Sequence, residues 1–194
     1  MTDDALQPGL LDGRELLVGV SGGIAAFKTA ALVSQLVQDG ADVTVVMTEN
    51  ATRFVGPATF EALTGRGVVT SLFGDPRYPL GAHVQLAERG DLLLVAPATA
   101  NFLAKAAAGL ADDALSTLYF AFDGPTLLAP AMNNRMWEHP AVARNTQQLI
   151  QDGITMIDPG EGWLSCRSRG AGRMAEPDTI RDALLAQLTS TQTN

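Results

Sequence analysis

Six short apolar runs, at residues 15–20, 42–47, 67–71, 91–96, 125–129 and 154–158, are separated by longer segments that carry helical spacing. Each run is too short for a buried helix. Most are apolar at successive positions rather than at alternate ones, as strands covered on both faces are. In the first intervening segment, Ile24, Phe27, Ala31, Val33 and Leu36 fall on one helical face or its margin, and Gly40 follows where a helix would end. Pro57 and Pro140 suit the first turns of later helices. Strands alternating with helices predict an α/β fold: a doubly wound, six-stranded parallel sheet with right-handed crossovers and helices on both faces. The chain has 194 residues, 46% of them hydrophobic and 18% charged, which is enough to bury the core of one domain. There is no internal repeat and no linker, so residues 1–194 read as a single domain with 1–12 and 189–194 frayed.

A doubly wound sheet places its ligand at the carboxyl ends of the strands, where strand order reverses. Four polar loops follow apolar runs there: Ser21-Gly22-Gly23-Ile24, Thr48-Glu49-Asn50, Pro97-Ala98-Thr99-Ala100-Asn101 and Pro130-Ala131-Met132-Asn133. The first leads from a strand into a helix, so its amides and the helix N-terminus can face an anion. It is neither the dinucleotide pattern G-x-G-x-x-G nor a P-loop, and a structural turn capped by Ser21 would have the same letters. Thr48, Asn50, Thr99, Asn101 and Asn133 are likewise ligand donors or helix caps.

Thirteen basic residues against 21 acidic ones give a net charge of −8. That balance disfavours general affinity for nucleic acid or an anionic membrane, so an anionic ligand needs a local site. The acidic amino terminus and the lack of a long apolar stretch point to the cytoplasm. A lone cysteine excludes an internal disulfide framework and a multi-cysteine zinc site. No metal is expected.

That cysteine, Cys166, lies in a polar, glycine-rich stretch from Gly162 to Met174, beside Arg167, Arg169 and Arg173. Cationic neighbours would hold its thiol below the ordinary pKa and attract an anionic substrate, whereas the plain alternative is a stray exposed thiol. His83 is a candidate general base, or else a cap or exposed polar residue. His139, before Pro140, suits a turn better than catalysis.

Taken in order, Gly19-Val20-Ser21-Gly22-Gly23-Ile24-Ala25-Ala26-Phe27-Lys28, His83, Ala96-Pro97-Ala98-Thr99-Ala100-Asn101, Pro130-Ala131-Met132-Asn133 with Met136-Trp137, and Cys166 followed by Gly170, Gly172, Arg173 and Met174 closely resemble the homo-oligomeric flavin-containing cysteine decarboxylases, in particular the phosphopantothenoylcysteine decarboxylases. The resemblance runs from about residue 14 to 188. It implies a Rossmann-like flavoprotein with FMN surrounded by Gly22, Gly23, Ile24, Thr48, Asn50, Thr99, Asn101 and Ala131. It also implies His83 as base, Cys166 as acid, and substrate binding by Asn133, Arg173 and Met174. The implied reaction converts 4'-phosphopantothenoylcysteine to 4'-phosphopantetheine in coenzyme A biosynthesis, through a thioaldehyde and an enethiol.

Relatives that decarboxylate peptide cysteines lack the reducing cysteine, so Cys166 favours the coenzyme A route. Family members usually have glycine after this cysteine, whereas this chain has Arg167, placed beside the substrate phosphate or in solvent. The resemblance further implies a homotrimer or homododecamer with FMN at a subunit interface, and a separate phosphopantothenate-cysteine ligase to supply the substrate. Two other readings share the fold: a non-catalytic flavoprotein regulatory subunit and a flavin prenyltransferase.

Overall fold

A computed structural model describes residues 9–163 and 169–191. Five parallel strands form the sheet: β1 (Glu15–Val20), β2 (Asp42–Met47), β3 (Leu92–Ala98), β4 (Thr126–Pro130) and β5 (Thr155–Met156), in spatial order β2-β1-β3-β4-β5. The run at 67–71, expected as a sixth strand, contributes only a parallel bridge from Val69 to Val46. The neighbouring Val68 carbonyl accepts a hydrogen bond from the Arg77 guanidinium at 2.9 Å, so a side chain satisfies it where a ladder would have.

Helices cover both faces. Alternate side chains of each strand point to opposite sides, which sorts the core into two layers. Leu16, Val18, Leu94, Ala96 and Leu127 face α1 (Ala26–Gln38), α2 (Pro57–Thr64) and α8 (Pro177–Thr191). Leu17, Leu93, Val95 and Leu128 face α3 (Ala82–Arg89), α4 (Ala100–Ala108), α5 (Ala114–Ala121) and α7 (Pro140–Gln151). All seven residues of β3 are buried, which explains its uninterrupted apolar sequence. Near the amino end, Leu11 is buried and its N–H donates to the Asp39 carbonyl at 2.8 Å.

Pro57 and Pro140 occupy first turns, and Gly40 follows the cap residue of α1. His139 caps α7, its Nδ1 accepting the Ala141 N–H at 3.2 Å, as its turn position suggests. The buried face of α1 matches the expected one at Val33 and Leu36 and differs elsewhere. Its buried residues include Ala26, Thr29, Leu32, Val33 and Leu36, while Ile24, Phe27 and Ala31 lie exposed on the other side. Both stripes are apolar at helical spacing, and only packing distinguishes them.

A second feature absent from the sequence reading is an antiparallel pair, β6 (Gly160–Trp163) and β7 (Arg169–Arg173). The Met132 N–H donates to the Gly172 carbonyl at 2.9 Å, laying β7 over the segment after β4. A Cβ at Gly172 would meet the Met132 carbonyl oxygen at 2.5 Å, and its φ of +121° is one that L side chains rarely adopt. Among the described residues, no helix is long and apolar enough to cross a membrane.

Candidate active site

Strand β1 pairs with β2 on one side and β3 on the other, so the strand order reverses beside β1. The loops after β1 and β3 meet there, with Ser21 Oγ 2.7 Å from the Pro97 carbonyl oxygen and accepting the Thr99 N–H at 3.0 Å. The loop after β2 closes on the same point. A Cβ at Gly22 would fall 2.5 Å from Asn50 Cβ and 3.0 Å from its carbonyl carbon, so only glycine permits this approach. Gly22→Val is expected to force the two loops apart and cost about 1–3 kcal/mol, a fall in melting temperature that thermal unfolding would detect.

These loops wall a cavity of about 830 Å³, in the upper part of the range of roughly 300–1,000 Å³ usual for small-molecule sites. Its wall contains Gly22, Gly23, Ile24, Thr48, Asn50, Thr99, Asn101 and Ala131, together with Asn133, Arg173 and Met174. The structure therefore gathers the expected cofactor and substrate groups into one space. Among the described residues, His83 is not part of that wall. It sits in the first turn of α3 and lines a separate crevice with Val69, Ser71, Leu72 and Leu118; its Nδ1 is buried without a hydrogen-bond partner. Cys166 and Arg167 lie outside the described residues.

Capping and ligand binding are compatible at several positions. Thr99 caps α4 by accepting the Phe102 N–H, and Thr48 Oγ1 accepts the Ala51 N–H at 3.3 Å. Asn133 caps α6 (Asn134–Trp137) through Oδ1, which accepts the Met136 N–H at 2.8 Å. With that oxygen committed, the amide protons are the part of Asn133 left for a ligand, and they suit a carboxylate.

Lys28, Lys105, Asp112 and Asp113, to which the sequence alone assigns no role, also line the cavity. Lys28, on the buried side of α1, donates to the Met174 carbonyl at 3.2 Å and to Glu176 at 3.0 Å. Arg173 reaches the same Glu176 oxygen at 2.8 Å, so one carboxylate serves two cations at the rim. At the other end Lys105 lies 2.5 Å from Asp112 and 2.7 Å from Asp113. Helix spacing alone does not reveal these roles, because each depends on which helix face meets the strand ends.

Burial acts to raise the pKa of Asp113, but hydrogen bonds from Lys105 and Ser116 outweigh it and hold the carboxyl below its ordinary value. Its stabilising effect is therefore complete above the unfolded pKa of about 3.9 and is lost as pH falls through the lower folded value. Asp113 also forms a capping box with Ser116 at the start of α5. Asp113→Ala is expected to cost about 1–2 kcal/mol at neutral pH, with the deficit shrinking in acid, as urea unfolding at several pH values would show.

Comparisons with known proteins agree with this layout. The Flavoprotein family description matches residues 5–189. The coenzyme A biosynthesis bifunctional protein CoaBC of Bacillus subtilis is 49% identical over 171 residues, covering 88% of this chain and 42% of that protein. CoaBC of Mycobacterium tuberculosis (strain H37Rv) is 47% identical over 175 residues, covering 90% of this chain and 41% of its own length. The chain thus spans less than half the length of these relatives.

Among solved structures, the FMN-dependent cysteine decarboxylase SpaF has a TM-score of 0.78 at 35% identity, covering 92% of this chain and 97% of its own. A PPC decarboxylase variant complexed with pantothenoylaminoethenethiol also has a TM-score of 0.78, at 31% identity, covering 88% of this chain and 96% of its own. With the family match spanning nearly the whole chain and the polar loops of a doubly wound sheet meeting at one cavity, this chain belongs to the Flavoprotein family.

Proposed function

We propose that this chain binds FMN and decarboxylates 4'-phosphopantothenoylcysteine to 4'-phosphopantetheine. The observation that carries the reading is the single cavity in which the eight expected cofactor residues lie alongside Asn133, Arg173 and Met174. The residues suit FMN: Gly22 and Gly23 line the cavity without side chains, and the N-termini of α1 and α4 adjoin the same corner, where a phosphate would be favoured. Relatives named for coenzyme A biosynthesis and for cysteine decarboxylation support the substrate class.

When bound, FMN supplies the reversible two-electron oxidation of the substrate thiol that no side chain here can provide. The residues do the rest. Asn133 holds the carboxylate through its amide protons and orients the C–C bond for cleavage. His83 accepts the proton of the substrate thiol while the carbon bearing it gives up a hydride, leaving a thioaldehyde. Loss of CO₂ then places the bond's electron pair in the adjacent thiocarbonyl, giving the enethiol. Cys166 donates a proton to the enethiol carbon, regenerating a thioaldehyde, and His83 returns its proton to the sulfur as that thioaldehyde is reduced to the product thiol. Electrons taken in the first half are restored in the second, so no external acceptor is consumed.

Because His83 lies away from the cavity of its own chain, the reading takes the base from a second copy. Ile24, Phe27 and Met136 line the cavity and are 53%, 60% and 43% exposed, an apolar rim suited to a subunit contact. A homotrimer, alone or within a dodecamer, is the assembly we infer. The chain would act in the cytoplasm, with a phosphopantothenate-cysteine ligase supplying its substrate. Purified protein is expected to be yellow and to release FMN on heat denaturation; colourless protein, or release of a different flavin, would contradict the cofactor.

A further inference from the structure

Ser21 is 2% exposed, and its hydroxyl sits between two loops of the site. Its Oγ lies 2.7 Å from the Pro97 carbonyl oxygen and 2.9 Å from Thr99 Oγ1, and it accepts the Thr99 N–H at 3.0 Å. The Pro97 carbonyl also takes the Ser21 N–H, at 3.3 Å. Thr99 Oγ1 in turn accepts the Phe102 N–H at 3.4 Å.

A hydroxyl has one proton, so this cluster has two complete arrangements. In one, Ser21 donates to the Pro97 carbonyl and Thr99 donates to Ser21. Thr99 then shows the cavity only a lone pair. In the other, Ser21 donates to Thr99 Oγ1, and the Thr99 proton turns toward the cavity. The Pro97 carbonyl keeps the Ser21 N–H as its partner in both, so no buried group is orphaned. No heavy atom has to move between them.

A phosphate dianion only accepts hydrogen bonds and selects the second arrangement. A neutral alcohol at the same place can donate or accept and suits either. We propose that Ser21 is a positioning residue for the anionic end of the cofactor: it fixes Thr99 at both its N–H and its Oγ1, and donates into Thr99 so that Thr99 can donate to a phosphate. This rests on the FMN reading above, and adds to it a residue that acts without being a phosphate donor itself.

The test is the preference of the holoprotein for FMN over riboflavin, measured by equilibrating it with riboflavin and quantifying the flavin retained. Riboflavin ends in a hydroxyl where FMN has the phosphate. Ser21→Ala is expected to lower that preference about tenfold, the scale of one hydrogen bond to a charged group. Ser21→Cys, which keeps the volume with a weak donor, should lower it in the same direction and guards against a variant that fails to fold. Thr99→Ser should retain the preference. In a Thr99→Val background, Ser21→Ala should lower it no further, because the two act as one unit. An unchanged or increased preference in both Ser21 variants overturns the proposal while leaving the FMN reading intact. A wild-type protein with no preference for FMN overturns the phosphate placement and the proposal with it.

Discussion

His83→Asn is expected to lower kcat by about 10²–10⁴-fold while FMN content stays at the wild-type level, as removal of a general base does. The geometry behind this expectation is unusual in one respect. The cavity is lined by the residues proposed to bind cofactor and substrate, yet His83 lies in the first turn of α3, in another crevice. If the base is supplied by a neighbouring copy, two inactive variants can complement each other. Co-expressed His83→Asn and Asn133→Ala chains should recover a measurable fraction of wild-type activity. Some sites would then pair an intact His83 from one chain with an intact Asn133 from another. Absence of recovery in a demonstrated mixed assembly would place the base within the chain and contradict the subunit-shared site.

Cys166→Ser is expected to arrest the reaction after loss of CO₂, with the enethiol accumulating and the flavin left reduced under anaerobic conditions. A serine hydroxyl is far less acidic than a thiol, and the cationic surroundings of Cys166 in the sequence would widen that gap. A single-turnover experiment followed by flavin absorbance and product mass should show bleaching without recovery. Full turnover at the wild-type rate would remove Cys166 from the mechanism.

The parts of this architecture legible in the sequence are those with a local cause. Strands β1 to β4 are fixed by dense apolar runs, and Pro57, Pro140 and Gly40 mark helix ends by their backbone preferences. The loop residues of the site were legible because a doubly wound sheet brings all its strand ends to one edge. Resemblance to a family then gave each of them a role.

Other features have tertiary causes. Residues 67–71 have strand composition, but the Arg77 side chain takes the Val68 carbonyl and only the bridge at Val69 forms. Strands β6 and β7 are rich in glycine and polar residues, so no alternation announces them. Their pairing, and the Met132 to Gly172 hydrogen bond, belong to the backbone. Ile24, Phe27 and Ala31 have core composition but an exposed position, because apolar helical spacing does not by itself say which stripe the sheet covers. Lys28 and Lys105 reach the cavity from helix faces whose orientation is set only once the sheet has formed.

Incubation of the purified yellow protein with 4'-phosphopantothenoylcysteine, without an added electron acceptor, tests the central claim most directly. One equivalent of CO₂ and one of 4'-phosphopantetheine per substrate, with the flavin oxidised at the end of many turnovers, is the predicted result. No CO₂ release from FMN-loaded protein, or release that stops at one equivalent per flavin with the enethiol as product, would contradict it.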